Sequence, residues 1–322
     1  MATAEQSDFK IADAASYDPH VEDFGRFSAV LTTPLARRLI ALANISADQR
    51  VLDVGTGTGV VALEAAKAVG HEGRCIGIDL SEKMLEAATT NARRTNLTER
   101  VEFKLMDAES LQFEAAGFDV VVSLFALLHF PDPATALKEM FRVLKPGGTL
   151  VVAVGSPPRW LSWLGIKHAV TLLPELISRL LGRRLVAPEF LNRLVQESIP
   201  AEDESEESSL ARASRNRTRS VTTLLRDAGF ENLRQHWEGH QATMKTPDDF
   251  WDIQRTFSTI ARKRLNGATP DQVAKIRAEF DALCERLAAK LEKESYEKLL
   301  ARDALTYRVP TIDDIPHTRK LP

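Results

Sequence analysis

The feature that most constrains this chain is the run Val51-Leu52-Asp53-Val54-Gly55-Thr56-Gly57-Thr58-Gly59. An apolar strand enters three alternating glycines, and an apolar helix pattern follows through Val69. Glycine belongs where the backbone turns sharply or where a ligand must approach the main chain closely. The start of the next helix adds backbone N–H groups without intrahelical partners. Such a turn suits a nucleotide-like ligand, although glycine turns also join strands to helices for structural reasons alone. A dinucleotide fingerprint is GxGxxG, with a longer gap before its third glycine, and this chain has GxGxG instead.

From Arg50 to Val154 the same rhythm repeats. Strands are expected at Val51–Val54, Arg74–Asp79, Val101–Met106, Phe118–Leu124 and Thr149–Val154. Between them lie helical patterns, including Ser81–Thr95 with Ser81 as N-cap and Ala134–Leu144 before Pro146-Gly147-Gly148. Near-continuous apolar strands separated by helices predict a parallel sheet covered on both faces, an α/β doubly wound fold. Beyond Val154 the reading is a helical, partly aromatic stretch and then an acidic run at 202–207, expected to be a solvated loop. A helix at Ser220–Ala228 ended by Gly229, a strand at Glu231–Met244, long helices after Pro247 and Thr269, and a last strand at Ala304–Val309 follow.

This gives a mostly parallel, seven-stranded Rossmann-like sheet with helical lid insertions after strand five and between strands six and seven. The expected divisions are 1–49, an N-terminal helical segment closing over the ligand; 50–155, the binding core; 156–219, a helical and loop insertion; and 220–322, the rest of the sheet with a helical insertion at about 247–300. In open α/β sheets the ligand crevice lies at the carboxyl ends of the strands, from which both insertions depart.

The GxGxG turn resembles motif I of class I S-adenosylmethionine (SAM) dependent methyltransferases, and the segments after it resemble that family in order. Ile76-Gly77-Ile78-Asp79-Leu80-Ser81 ends strand two in an acid. A carboxylate there accepts hydrogen bonds from ribose hydroxyls, the solution also used in NAD sites; by itself Asp79 would read as a helix cap. Asp107-Ala108 after strand three corresponds to the position that meets adenine, the alternative being a loop Asp capping a turn. Phe141 to Leu150 resembles the family's tight turn into strand five and is read as structural. The resemblance covers roughly residues 17–154 and is closest to the ubiquinone and menaquinone C-methyltransferase-like branch of small-molecule methyltransferases. It implies SAM as cofactor, held by Tyr17, Asp53, Gly55, Thr56, Gly57, Gly59, Asp79, Leu80, Met84, Asp107, Ala108 and Ser123.

Methyl transfer from a sulfonium needs alignment and exclusion of water more than a fixed catalytic set. A general base helps when the acceptor is a hydroxyl or a carbon acid. His129, just after strand four, is the candidate; His168, His236 and His240 are weaker, since nothing in the sequence orients them. Tyr17 precedes a segment rich in Phe24 and Phe27, and Trp160 and Trp163 are candidates for an apolar pocket or for plain helix packing. Arg212, Arg215, Arg217 and Arg219 read as an anion site or as partners of the acidic run.

Several classes are disfavoured. The net charge of −3 provides no basic field for nucleic acid. Strand four lacks the Asn/Asp-Pro-Pro-Tyr/Phe motif of amino-group methylases, and no Pro-Cys pair supports cytosine C5 methylation. Cys75 and Cys284 cannot form a four-thiolate metal site, and no metal is expected; they suit a reducing cytoplasm. No signal peptide or membrane span is read, because charges interrupt the apolar stretch from Arg159 to Leu185. The expected partner is a small apolar or aromatic acceptor, methylated on carbon or oxygen, and nothing in the sequence sets an oligomeric state. A SAM fold performing a non-methyl-transfer step, a non-catalytic SAM-binding regulator and an NAD oxidoreductase are the competing readings.

Overall fold

A computed structural model describes residues 4–28, 30–156, 190–199, 220–236, 241–243, 246–292, 306–308, 311–312 and 317–319. The chain divides into two compact units. One comprises Met1–Gly155, Glu207–Glu238 and Ile312–Pro322; the other comprises Ser156–Glu206 and Gly239–Thr311.

The first unit opens with three helices, α1 (Ala4–Ala15), α2 (Val21–Ser28) and α3 (Thr32–Ala43). Strands β1 (Arg50–Val54), β2 (Arg74–Asp79), β3 (Val101–Leu105), β4 (Phe118–Leu124) and β5 (Leu144–Ala153) then alternate with helices α4 (Val60–Ala68), α5 (Glu82–Arg94) and α6 (Pro133–Val143). The five strands are parallel in the order β5-β4-β1-β2-β3. Leu52 lies beside Ile76 on one flank and Val121 on the other.

The apolar runs are continuous because both sheet faces are buried. Leu52, Val54, Ile78, Val121, Leu150 and Val152 form one core with Leu137 and Met140 of α6 and Leu224 and Leu225 of the helix Val221–Asp227. Their alternates Val51, Val120 and Val122 are equally buried, and α3 and α4 pack on the sheet as well. Each such side chain contributes about 1.5–3 kcal/mol by leaving water. Helix starts are set by side chains: Ser81 Oγ accepts from Met84 N at 3.1 Å, Asp132 Oδ1 from Thr135 N at 3.0 Å, and Ser220 Oγ from Thr223 N at 3.1 Å. Each cap contributes about 1 kcal/mol.

Four expectations need correction or fall outside the description. Among the described residues the main sheet has six strands, not seven. Its sixth is His317–Arg319, antiparallel to β5 at the edge. The strand expected over 231–244 is interrupted at Asn232, whose φ of 55° leaves the extended region. Its last part, Gln241–Thr243, pairs instead with Thr306–Arg308 in a separate two-stranded sheet of the second unit. Lys145-Pro146-Gly147-Gly148 is not a free turn, because β5 already begins at Leu144 beside Phe118 and accommodates the extra residues as an irregularity. The lid expected over 156–219 lies outside the described residues except for the helix Phe190–Ser198.

That helix belongs to the second unit, together with Pro247–Phe257, Thr259–Gly267 and Pro270–Glu292. Phe280 stacks on Phe250 at 5.8 Å and meets Trp251 edge-on at 5.2 Å between ring centres. Arg262 is wholly buried and donates to the Thr256 carbonyl at 3.1 Å.

Candidate functional site

Parallel strands bring their carboxyl ends to one edge, and the order of connections reverses between β1 and β4. This is the position at which doubly wound sheets bind ligands. The ends of β1, β2, β3 and β4 deliver, respectively, the glycine turn, Asp79, Asp107 and the segment 125–130.

Gly55, Gly57 and Gly59 all have positive φ, at 73°, 52° and 83°. Gly59 forms the N-terminal cap of α4, where a Cβ would lie 2.9 Å from Phe103 Cζ and 3.0 Å from Ala88 Cβ. That glycine is required by helix-to-strand packing. Gly57 differs: among the described residues the only atom a Cβ there would meet within 4 Å is Phe24 Cε1, at 4.0 Å. Its face is open, so a ligand can lie against this part of the turn.

Two carboxylates anchor the turn from below. Asp53 is 1% exposed; its Oδ2 accepts from Thr56 Oγ1 at 2.6 Å and from Ala62 N at 3.0 Å, while its buried Oδ1 has no partner. Burial pushes its pKa up from 3.8 to about 7 against the lowering effect of these bonds, with the Asp79 charge adding to the rise. Asp79 accepts three backbone N–H groups: Leu80 at 2.8 Å and Ser81 at 3.1 Å on Oδ1, and Gly57 at 2.8 Å on Oδ2. Burial raises its pKa as well, even against those three bonds. The sequence reads Asp79 as a ribose acceptor or, taken alone, as a helix cap; in the structure its carboxylate ties the glycine turn to the end of β2.

At the end of β3, Asp107 Oδ1 accepts from Glu109 N at 2.9 Å. Its Oδ2 lies 2.7 Å from Lys10 Nζ, and Glu109 Oε2 lies 2.6 Å from the same nitrogen. Burial acts to lower the Lys10 pKa, but the two carboxylates outweigh it and raise the value above that of an ordinary lysine. Ala108 is buried in the core beneath this turn, and Met84 is 4% exposed on α5 behind Leu80.

The segment after β4 is bent by Phe125, at φ 63°, and then makes a short 3-10 turn at Leu127–His129. His129 is partly exposed, with Nδ1 4.0 Å from Asp13 Oδ2 and its ring edge-on to Tyr17 at 6.5 Å. Tyr17 also meets Phe24 edge-on at 6.3 Å, and Asp18 accepts from Ser81 Oγ at 2.9 Å. The N-terminal segment thus touches the ends of β2, β3 and β4. Ser123 does not reach this crevice through its side chain: it is wholly buried and donates to the Val54 carbonyl at 2.9 Å, joining β4 to β1.

His236, the weaker base candidate among the described residues, lies 3.2 Å from the Arg38 guanidinium at an exposed position. His168, His240, Trp160, Trp163, Arg212, Arg215, Arg217 and Arg219 lie outside the described residues. Lys10, Asp13, Asp18 and Glu109 are the members that sequence reading passes over. No motif marks them, because each acquires its place only when the N-terminal segment meets loops distant in the chain.

The residues present fit a SAM cofactor. An open glycine face, an unpartnered buried oxygen on Asp53 and strand-end carboxylates suit a ligand that carries a cation at one end and donors at the other. Among the described residues no helix is long and apolar enough to cross a membrane.

Residues 45–181 match the family model of a methyltransferase domain. The demethylmenaquinone methyltransferase of Lactobacillus johnsonii is 33% identical over 158 residues, which are 49% of this chain and 64% of that protein. The ubiquinone/menaquinone biosynthesis C-methyltransferase UbiE of Vibrio parahaemolyticus is 30% identical over 190 residues, 58% of this chain and 66% of that protein. The aklanonic acid methyltransferase DauC of a Streptomyces species is 31% identical over 146 residues, 45% and 66% of the two chains. The chain thus spans just under two thirds of the length of these three relatives. With the strand order and the glycine turn already assigned, residues 45–181 are thus similar to a methyltransferase domain.

Proposed function

We propose that this protein is a SAM-dependent methyltransferase that transfers a methyl group to a carbon or oxygen of a small, apolar or aromatic molecule. The observation that carries the reading is the convergence, at one sheet edge, of the open Gly57 turn with Asp79 and Asp107 at the ends of successive strands. The relatives support the acceptor class: their names specify demethylmenaquinone and aklanonic acid as methylated molecules, and carbon as the methylated atom in one case. Two buried free thiols, Cys75 and Cys284, support a reducing, cytoplasmic setting.

When bound, SAM supplies an electrophilic methyl group on a cationic sulfur. Asp79 accepts from the ribose hydroxyls with the lone pairs left over by its backbone bonds. Asp107, whose side chain is 32% exposed, would accept from the adenine amino group, with Leu80, Met84 and Ala108 as its apolar surroundings. Backbone of the turn from Gly55 through Thr56 and Gly57 to Gly59 would hold the methionine end, the turn itself being tied down by Asp53. Residues 4–28 would close over the crevice, with Tyr17 excluding water there, while α3 packs on the sheet. Alignment of acceptor and methyl is worth on the order of 7–11 kcal/mol, so the residues that position contribute most of the rate. His129 takes the acceptor's proton, with Asp13 on its Nδ1 side.

The test is calorimetric titration with SAM, S-adenosylhomocysteine and NAD, followed by mass analysis after incubation with quinols, phenols and prenyl compounds. Micromolar binding of the first two alone, and a gain of one methyl on a panel member, is the expected result. Binding of NAD in their place would overturn the reading, as would binding of SAM without transfer to any acceptor.

A further inference from the structure

Lys10 is the most enclosed cation of the N-terminal segment. Its side chain is 6% exposed, and its ammonium touches Asp107 and Glu109 together. Neither carboxylate is loosely held. Glu109 Oε1 accepts from Asp132 N at 2.8 Å, and Asp107 Oδ1 from Glu109 N at 2.9 Å. Two acids therefore converge on one nitrogen, and that nitrogen arrives on a separate helix. Without it, two like charges would face each other, which favours rotation of one carboxylate away from the other. The same helix carries Asp13 toward His129, so docking at Lys10 also fixes what lies over the end of β4.

We propose that Lys10 is a positioning residue for recognition of the cofactor's adenine: it holds Asp107 aimed, and it couples docking of α1 to cofactor binding. The inference rests on the assignment of Asp107 to the adenine amino group. Asp107 Oδ2 accepts from Lys10 and keeps a second lone pair that the amino group can use, on a side chain that is 32% exposed. An acceptor aimed at the amino group discriminates between an amino purine and a 6-oxo purine, because the latter turns an acceptor toward an acceptor. Coupling is reciprocal: the factor by which docked α1 tightens the cofactor equals the factor by which the cofactor tightens α1.

The test uses the full chain and two ligands, S-adenosylhomocysteine and its inosine counterpart, titrated calorimetrically into wild type, Lys10→Met, Lys10→Arg and Glu109→Gln. Hydrogen exchange of residues 4–15 is followed with and without S-adenosylhomocysteine. Wild type is expected to prefer the amino purine by roughly 10- to 100-fold, the range of a hydrogen bond to a charged group. Lys10→Met is expected to lose at least tenfold of that preference, together with the cofactor-induced protection of α1. Lys10→Arg is expected to restore both. Glu109→Gln keeps the Lys10–Asp107 contact and is expected to keep the preference, which covers the case of a Lys10→Met chain too unstable to titrate. Unchanged selectivity in Lys10→Met would overturn the inference, and so would an equal loss of affinity for both purines. Loss of the preference in Glu109→Gln would overturn it too. A wild type that binds neither purine, or binds both equally, would instead remove the assignment of Asp107 on which the inference stands.

Discussion

Asp53→Asn tests the energetics of the glycine turn directly. Asp53 is 1% exposed, and its pKa rises from 3.8 to about 7. The neutral acid is therefore the form that the fold prefers. Its contribution to stability is fully present below about pH 4 and is lost as pH rises through about 7, so the folded state carries a cost of about 4 kcal/mol above that point. Between pH 5 and pH 8 that cost grows by about 2–3 kcal/mol. Asparagine keeps a carbonyl for Thr56 Oγ1 and Ala62 N, but it places an amide nitrogen where Oδ1 now lacks a partner. This adds a pH-independent loss of about 1–3 kcal/mol. The variant should lie within about 1 kcal/mol of wild type at pH 5 and exceed it by about 1–3 kcal/mol at pH 8. Urea unfolding followed by far-ultraviolet circular dichroism at the two pH values gives the comparison. At a slope of roughly 3 kcal/mol per M, the relative midpoint should move by about 1 M. A stability difference that stays constant over this range would refute the argument, because it would mean that the buried carboxyl does not titrate there.

Three further outcomes follow from the same geometry. Gly59→Ala forces a side chain into φ 83° and against Phe103 and Ala88; it should cost about 2–4 kcal/mol in the same unfolding assay, and a loss under 1 kcal/mol would show that the turn relaxes freely. Asp79→Ala should weaken SAM binding by roughly 100-fold or more, because it removes a charged acceptor and three backbone ties together; unchanged affinity by calorimetry would remove the ribose assignment. His129→Ala should lower methyl transfer by roughly 10²- to 10⁴-fold while leaving SAM affinity in place, and full turnover in the variant would end its role as base.

Much of this protein is determined by local sequence. Continuous apolar runs at β1, β2, β4 and β5 can be satisfied only by burial on both faces, so the parallel sheet and the edge at which it binds are legible without coordinates. The caps Ser81 and Ser220 sit where a short polar side chain precedes an apolar periodicity. The alternating glycines announce a backbone that needs positive φ, although sequence does not separate Gly59, required for packing, from Gly57, which faces open space.

Other features exist only through contacts distant in the chain. Ser123 follows a strand-end pattern that suits a ligand, yet its hydroxyl finds the Val54 carbonyl of the neighbouring strand. The strand expected over 231–244 has the right alternation, but pairing is chosen by what lies alongside, and Gln241–Thr243 pairs with Thr306–Arg308. Lys10 belongs to an ordinary helical stretch, and only the docking of α1 makes it the shared counter-ion of Asp107 and Glu109. Sequence alone thus determined the sheet and its glycine turn, because backbone propensity and burial period act over a few residues. Tertiary structure decided which polar groups meet at the crevice, because a charge buried from water must find its partner wherever the fold places one.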